Sequence, residues 1–392
     1  MLSPRVSFLF GKLSFVVSII KKLRKGVRNM IRRKIVWMLC GLMMVAVGCM
    51  KTSTESDHEI ATREGEENLK AQRLEEKDVR EENKRTIYLA GGCFWGVEGY
   101  FKKIPGVYDT ETGYANGKTE KTDYESVKET DHAETVKVSY DRSRVSLEEI
   151  LLHYMRIIDP TSVDRQGNDV GRQYRTGIYY TSAEDREIIE KILAYETRLH
   201  GTLAVEKASL KNFVQAEAYH QDYLDKNPGG YCHINLALAD TPLFDEPYEM
   251  PTEEKIRELL DDTAYDVMRN AGTERAGTSA LSHEYRKGIY VDKITGEPLF
   301  SSSDKFDSGC GWPSFSRPIT TDKLTEHIDN TLGMTRTEVR TKHSDSHLGH
   351  VFEDGPAEKG GLRYCINGAA LRFIPYEDMD KAGYGAYKIF CE

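Results

Sequence analysis

The hydrophobic pattern changes period at several points along the chain, and each change predicts an element. Thr86, Ile87, Tyr88 and Leu89 read as a short strand. Directly afterwards Val97, Tyr100, Phe101 and Ile104 recur at helical spacing until Pro105-Gly106 ends the run. "DHAETVKVSYD" alternates, so Glu134, Val136, Val138 and Tyr140 share one face of a strand. "TEEKIRELLDD" reads as a helix opened by a weak capping signal at Thr252. Beyond it, short apolar runs between Gly and Ser ("KGIYVD", "GLRYCING", "AALRFIP") predict a mainly β region. Alternation there sets Arg363, Cys365 and Asn367 on one face and Leu362, Tyr364 and Ile366 on the other. The expected fold class is α+β: an α/β sandwich over residues 86–240, then a β-rich domain over 256–392, joined by an acidic, proline-containing linker at 241–255.

The N-terminus reads as targeting sequence. Residues 1–34 carry ten Lys/Arg and no acid, and the uncharged run "IVWMLCGLMMVAVG" follows. That run is short for a membrane span and fits a signal-peptide apolar region. It ends in small residues before Cys49, which resembles a bacterial lipoprotein signal with Cys49 as the lipidated residue. Met30, opening "MIRRK", is the expected true start. Residues 1–49 are thus read as a signal segment and 50–85 as a charged, solvated tether, which implies an extracytoplasmic protein anchored to a membrane by lipid. An uncleaved anchor gives the same location.

Composition narrows the chemistry. Hydrophobic residues at 39 % suffice for packed cores, and a net charge of −9 with no basic stripe after the N-terminus argues against nucleic acid. The seven cysteines form no C-x-x-C, so neither a zinc ribbon nor a thioredoxin-type motif is present. Scattered single cysteines suit reactive thiols.

Two stretches could carry such a thiol. In "AGGCFWGVEG" (residues 90–99) Cys93 falls at or just before a helix N-terminus, whose free N–H groups favour a thiolate, beside glycines that allow close approach. A buried structural cysteine with two core aromatics is the competing reading. Glu134, on an apolar face, is either a carboxyl of raised pKa or an edge residue facing water. Tyr124 and Tyr174 offer hydroxyls, and the polar loop "RQGNDVGRQYR" carries Asp169. In the second stretch Arg363 would lower the pKa of Cys365 from the same strand face. His347 and His350 in "SDSHLGHVF" are proton donors or, as H-x-x-H, metal ligands, while Cys310 and Trp312 lie in a Gly/Pro-rich loop.

Taken in order, "GCFWGVE", "GVYDTETGYANG", "HAETVKVSYD", "DPTSVDRQGNDVGRQYRTGIYY" and "KNPGGYCHI" resemble peptide methionine sulfoxide reductase A. That resemblance implies Cys93 as nucleophile, Glu134 as proton donor to the sulfoxide oxygen and Phe94 and Trp95 around the substrate methyl group. Tyr124, Tyr174 and Asp169 would support, and Cys232 would be the resolving cysteine in a mobile segment. "GEPLFSSSDKFDSGCGWPSF", "TEVRTKHSDSHLGHVFEDGP" and "GLRYCINGA" resemble methionine sulfoxide reductase B. This second likeness implies Cys365 as nucleophile, Cys310 as resolver, His347 and His350 at the sulfoxide oxygen, Asn367 and Arg363 in support and Trp312 against the methyl group. Many relatives of that type bind zinc through two C-x-x-C pairs; here those places read "KITGEP" and "KHSDS", so no metal is expected. Cys391 has no matching role. Together the likenesses imply a bifunctional repair enzyme for oxidised methionine, free or in proteins, with no bound cofactor and a thioredoxin-like dithiol as reductant. The runner-up is a tethered thiol-disulfide exchange protein, against which the missing C-x-x-C weighs.

Overall fold

The computed structural model describes residues 74–244 and 248–391, so Met30, Cys49 and the signal segment lie outside the described residues. These residues belong to one compact unit. Its first half is built on β1 (Lys84–Gly91), α1 (Phe94–Phe101), β2 (Val107–Ala115), β3 (Ala133–Asp141) and α2 (Leu147–Ile157). A short hairpin of β4 (Arg165–Gln166) and β5 (Asp169–Val170) precedes β6 (Thr176–Tyr180), α3 (Ala183–His200), β7 (Glu206–Ser209), β8 (Phe213–Gln215) and the single turn α4 (Tyr223–Lys226). The strands form a six-stranded sheet in the order β7-β6-β1-β3-β2-β8. Only β6 and β7, joined through α3, run parallel. Local chemistry sets the helix ends: the hydroxyls of Ser146 and Ser182 accept the N–H groups of Glu149 and Asp185, and Gly201 at φ +80° closes α3. Predicted as far as Ile104, α1 stops at Phe101, and Ile104 is buried in the turn that follows.

The second half opens with α5 (Glu253–Leu259) and α6 (Asp262–Asn270), capped by Thr252 and Asp261. Its strands are β9 (Gly288–Asp292), β10 (Pro298–Ser301), β11 (Lys305–Phe306), β12 (Ser314–Phe315), β13 (Leu324–Asp329), β14 (Arg336–Thr341), β15 (His347–Phe352), β16 (Arg363–Ile366) and β17 (Leu371–Pro375). They make a three-stranded sheet, β10-β9-β17, and a six-stranded one, β11-β12-β16-β15-β14-β13, with all pairs antiparallel.

One sequence expectation is corrected here and another is extended. The halves that the linker joins do not stand apart. Partly buried Leu243 and Phe244 pack into a core shared by both, with the Phe244 ring 4.5 Å from that of Tyr387, and the same apolar cluster joins Ile189 and Ile192 to Met379, Phe390 and Cys391. Cys391 is therefore a buried packing residue, its thiol 3.3 Å from the carbonyl of Gly288. Nor is the tether solvated up to residue 85. Val79 is buried, Arg80 pairs with Glu353 at 3.0 Å, and the Asn83 amide donates to the carbonyl of Gly360 at 2.9 Å. An ion pair and an amide hydrogen bond tie the stretch to the second half.

Candidate active site

Two centres form. The first lies where β1 turns into α1. Cys93 is the N-cap of α1 and is buried, and Gly92 before it sits at φ +85°, a conformation that suits glycine alone. Glu134 lies on neighbouring β3, 2 % exposed, with Oε2 accepting the N–H of Phe94 at 3.1 Å. Burial raises its carboxyl to about 8, against the pull of that amide, so Glu134 is protonated at neutral pH. Burial first, and then the fields of Glu134 and Asp169, also push the Cys93 thiol up. The sequence expectation of a thiolate at the helix start is thus corrected. One N–H of the first turn is spent on Glu134, and the remaining pull of the Trp95 amide does not offset desolvation.

Tyr124 and Tyr174 stand in the same electrostatic neighbourhood, their phenols kept protonated by burial and by Glu134. The phenol of Tyr231 donates to Asp169 at 3.1 Å. The Cys232 sulfur lies against α1: a Cβ added at Gly96 would come within 3.0 Å of it. Phe94 is buried, its ring 5.7 Å from Tyr114 and 5.1 Å from His220, while Trp95 is partly exposed. The Trp95 indole stacks on Tyr223 at 3.6 Å and donates to Nδ1 of His220 at 3.1 Å.

The second centre sits on adjacent strands. Register places Cys365 opposite Ser314 on one side and His350 on the other. Its sulfur is 3.5 Å from that of Cys310. The hydroxyl of Ser308 lies 3.0 Å from the Cys310 sulfur and 2.7 Å from the hydroxyl of Ser314. Burial opposes ionisation of Cys310, but these hydroxyls outweigh it and lower the thiol to about 7. Cys365 moves the other way, to about 12, through burial and then its neighbour Cys310. Arg363, itself held by Asp354 at 2.8 and 2.9 Å, favours the Cys365 thiolate as expected but is outweighed by burial and Cys310. His347 Nδ1 lies 2.6 Å from Glu338 and His350 Nε2 lies 2.8 Å from Asp329, with the two rings 5.6 Å apart.

Asn367 accepts the N–H of Glu274 and donates to the carbonyl of Leu348, each at 2.9 Å. The Trp312 indole donates to the carbonyl of Glu274 at 3.1 Å. At the two sites of the missing cysteine pairs, Ser344 donates to Asp292 and His343 meets Glu297, both at 2.9 Å. Among the described residues no group of three or more His, Cys, Asp or Glu side chains is placed to hold a metal.

Residues 85–250 match the family model of peptide methionine sulfoxide reductase, and residues 260–375 that of the SelR domain, the B type. The chain belongs to the peptide methionine sulfoxide reductases. Similar solved structures include Mxr1 from Saccharomyces cerevisiae in reduced form, 38 % identical over 39 % of this chain and 91 % of that one, with a TM-score of 0.38. Methionine sulfoxide reductase A of Corynebacterium diphtheriae is 35 % identical over 38 % of this chain and 78 % of that one, with a TM-score of 0.36. Mxr1 in complex with Trx2 is 28 % identical over 37 % and 88 % of the respective chains, with a TM-score of 0.28.

This reductase thus joins an A-type and a B-type domain in one chain and reduces methionine sulfoxide. Sequence reasoning missed several residues that shape the reductase centres. Glu217 accepts the Tyr124 N–H at 2.9 Å and the Tyr114 hydroxyl at 2.8 Å. With His220 and Tyr223 it follows an i, i+3, i+6 spacing that could have been noticed in "EAYHQDY". Glu274 carried no such signal: besides its backbone contacts to Asn367 and Trp312, its carboxylate accepts the N–H groups of Gly368 at 2.6 Å and Ala369 at 2.9 Å, just past Cys365.

Proposed function

We propose that the first domain reduces the S epimer of methionine sulfoxide and the second the R epimer, one centre serving each. The observation that carries this reading is the pairing in the first centre of a buried thiol with a carboxyl protonated at neutral pH. A thiol attacks a sulfoxide sulfur only if the oxygen is protonated as it leaves, and Glu134 has that proton to give. The Phe94 N–H then stabilises the carboxylate left behind. The protonated oxygen passes from the methionine sulfur to the Cys93 sulfur while the thiol's proton returns to Glu134, so methionine is released and Cys93 becomes a sulfenic acid; Cys232 then condenses with it to a disulfide, and water leaves. Tyr124 and Tyr174 supply hydroxyls to the substrate oxygen, with Asp169 in support, and Trp95 with Phe94 shapes the methyl pocket. In the second domain Cys365 attacks, His347 and His350 handle the oxygen, and Cys310 resolves from 3.5 Å away. Arg363 and Asn367 support that centre, and Trp312 lines its methyl pocket. Each disulfide then needs two electrons from outside, for which a thioredoxin-like dithiol is the chemical match. The reading divides the chain at residues 86–240 and 256–392, and Cys49 would carry a lipid that holds the enzyme outside the cytoplasm.

Each pure epimer, supplied with a dithiol, tests it. Cys93→Ser should abolish S reduction and leave R reduction intact, and Cys365→Ser the reverse. Loss of both activities in either folded variant would refute two independent centres. Absence of lipid on Cys49 in the mature protein would remove the anchor.

A further inference from the structure

The residues flanking Cys232 are bound to the same two turns that carry Cys93 and Asp169. On one side the Tyr231 phenol donates to Asp169 Oδ2 at 3.1 Å. On the other, the His233 side chain packs against Gly92 and Gly167, its ring edge toward the first and its Cβ toward the second. A Cβ at Gly92 would lie 3.1 Å from its Cε1, and one at Gly167 would lie 3.2 Å from its Cβ. Both glycines have positive φ, +85° and +57°, so this contact and the turns are set by the same residues. The imidazole is 92 % shielded: its side chain keeps 8 % exposure, with Nδ1 3.8 Å from Asp169 and neither nitrogen at hydrogen-bonding geometry. Burial disfavours its charged form, against the pull of Asp169 and of the Gly91 backbone.

We propose that Tyr231 and His233 are positioning residues for the resolving step, one tying the segment to Asp169 and the other plugging it between Gly92 and Gly167. The inference rests on Cys232 as resolver. In that step the Cys232 thiol attacks the sulfur of the Cys93 sulfenic acid; an S–S bond forms, the S–O bond breaks, and the departing hydroxide takes the proton that Cys232 loses and leaves as water. Its rate depends on how often the two sulfurs meet in line, which is what a docked segment improves.

The test uses the full chain, a peptide S-sulfoxide and rapid quenching, with methionine and disulfide measured separately. Tyr231→Phe and His233→Ala should each slow disulfide formation by about tenfold. Dimedone should then trap more sulfenic acid on Cys93, and methionine formation should fall by less. His233→Phe should recover the part of the loss that comes from packing against Gly92 and Gly167, and so exceed His233→Ala in disulfide rate. Retained R-epimer activity reports that each variant is folded. A wild-type disulfide rate in the double variant, or equal slowing of both steps, would overturn the proposal. Should Cys232→Ser turn over normally with a protein dithiol, the resolver assignment itself fails, a result distinct from failure of the two anchors.

Discussion

Burial sets the protonation of both Glu134 and Cys93, and only part of that was legible in the sequence. Alternation in "HAETVKVSYD" placed a carboxyl on an apolar face, and burial does raise it, to about 8. The thiols were read in the wrong direction at both centres. A helix start and a nearby arginine are visible in a sequence, whereas the depth of burial and the closeness of Cys310 to Cys365 are not. The sign for Glu134 follows: it holds its proton below about 8 and loses it as pH rises through that value. The S-epimer reduction step should therefore show a limb falling above pH 8. Glu134→Gln keeps the shape but has no proton to transfer. It should slow that step by on the order of 10²-fold and abolish the limb, with the R-epimer rate unchanged. Single-turnover kinetics across pH decide it: a Gln variant with wild-type S-epimer rates would leave Glu134 a structural residue.

At the scale of elements, the long periodic stretches were readable and the short ones were not. Strands β1 and β3 and helix α1 follow from their patterns, while the two-residue pairs β4–β5 and β11–β12 have too few residues to show a period. The turns after β9 and β14 show what replaces a pattern. Asp292 Oδ1 accepts the N–H groups of Ile294 at 2.6 Å and Thr295 at 2.7 Å, closing its own turn, and Oδ2 takes the Ser344 hydroxyl at 2.9 Å from the other. All of these are buried or partly buried, so hydrogen bonds cross-link the two turns. Ser344→Ala should lower stability by about 1–3 kcal/mol, because buried Asp292 loses a donor. Exhaustive chelation should change neither the melting temperature nor R-epimer turnover. A metal found in stoichiometric amount, or activity lost on chelation, would contradict this account of the turns.

For the whole molecule, two chemically separate centres sit on one mechanical body. The apolar core runs from Ile189 and Ile192 through Phe244 to Tyr387 and Phe390, which no reading of an acidic linker could anticipate. The polar part of the same contact includes a buried carboxyl. Glu149, 2 % exposed on α2, accepts both the N–H of Thr321 at 2.9 Å and its hydroxyl at 2.7 Å, and burial raises its carboxyl to about 8. A shared core implies a shared unfolding event: opening either half exposes the apolar surface of the other. Thr321→Val keeps the backbone donor and the shape but removes the hydroxyl, leaving Glu149 with one partner. The expected cost is about 1–2 kcal/mol, or a few degrees in melting temperature. Since Thr321 belongs to neither centre, S- and R-epimer rates at low temperature should be unaffected. On heating, both activities should be lost together, and earlier than in the wild type. Were R activity to fail early while S activity kept its wild-type midpoint, the halves would be unfolding independently, and the core described here would not be a single cooperative one.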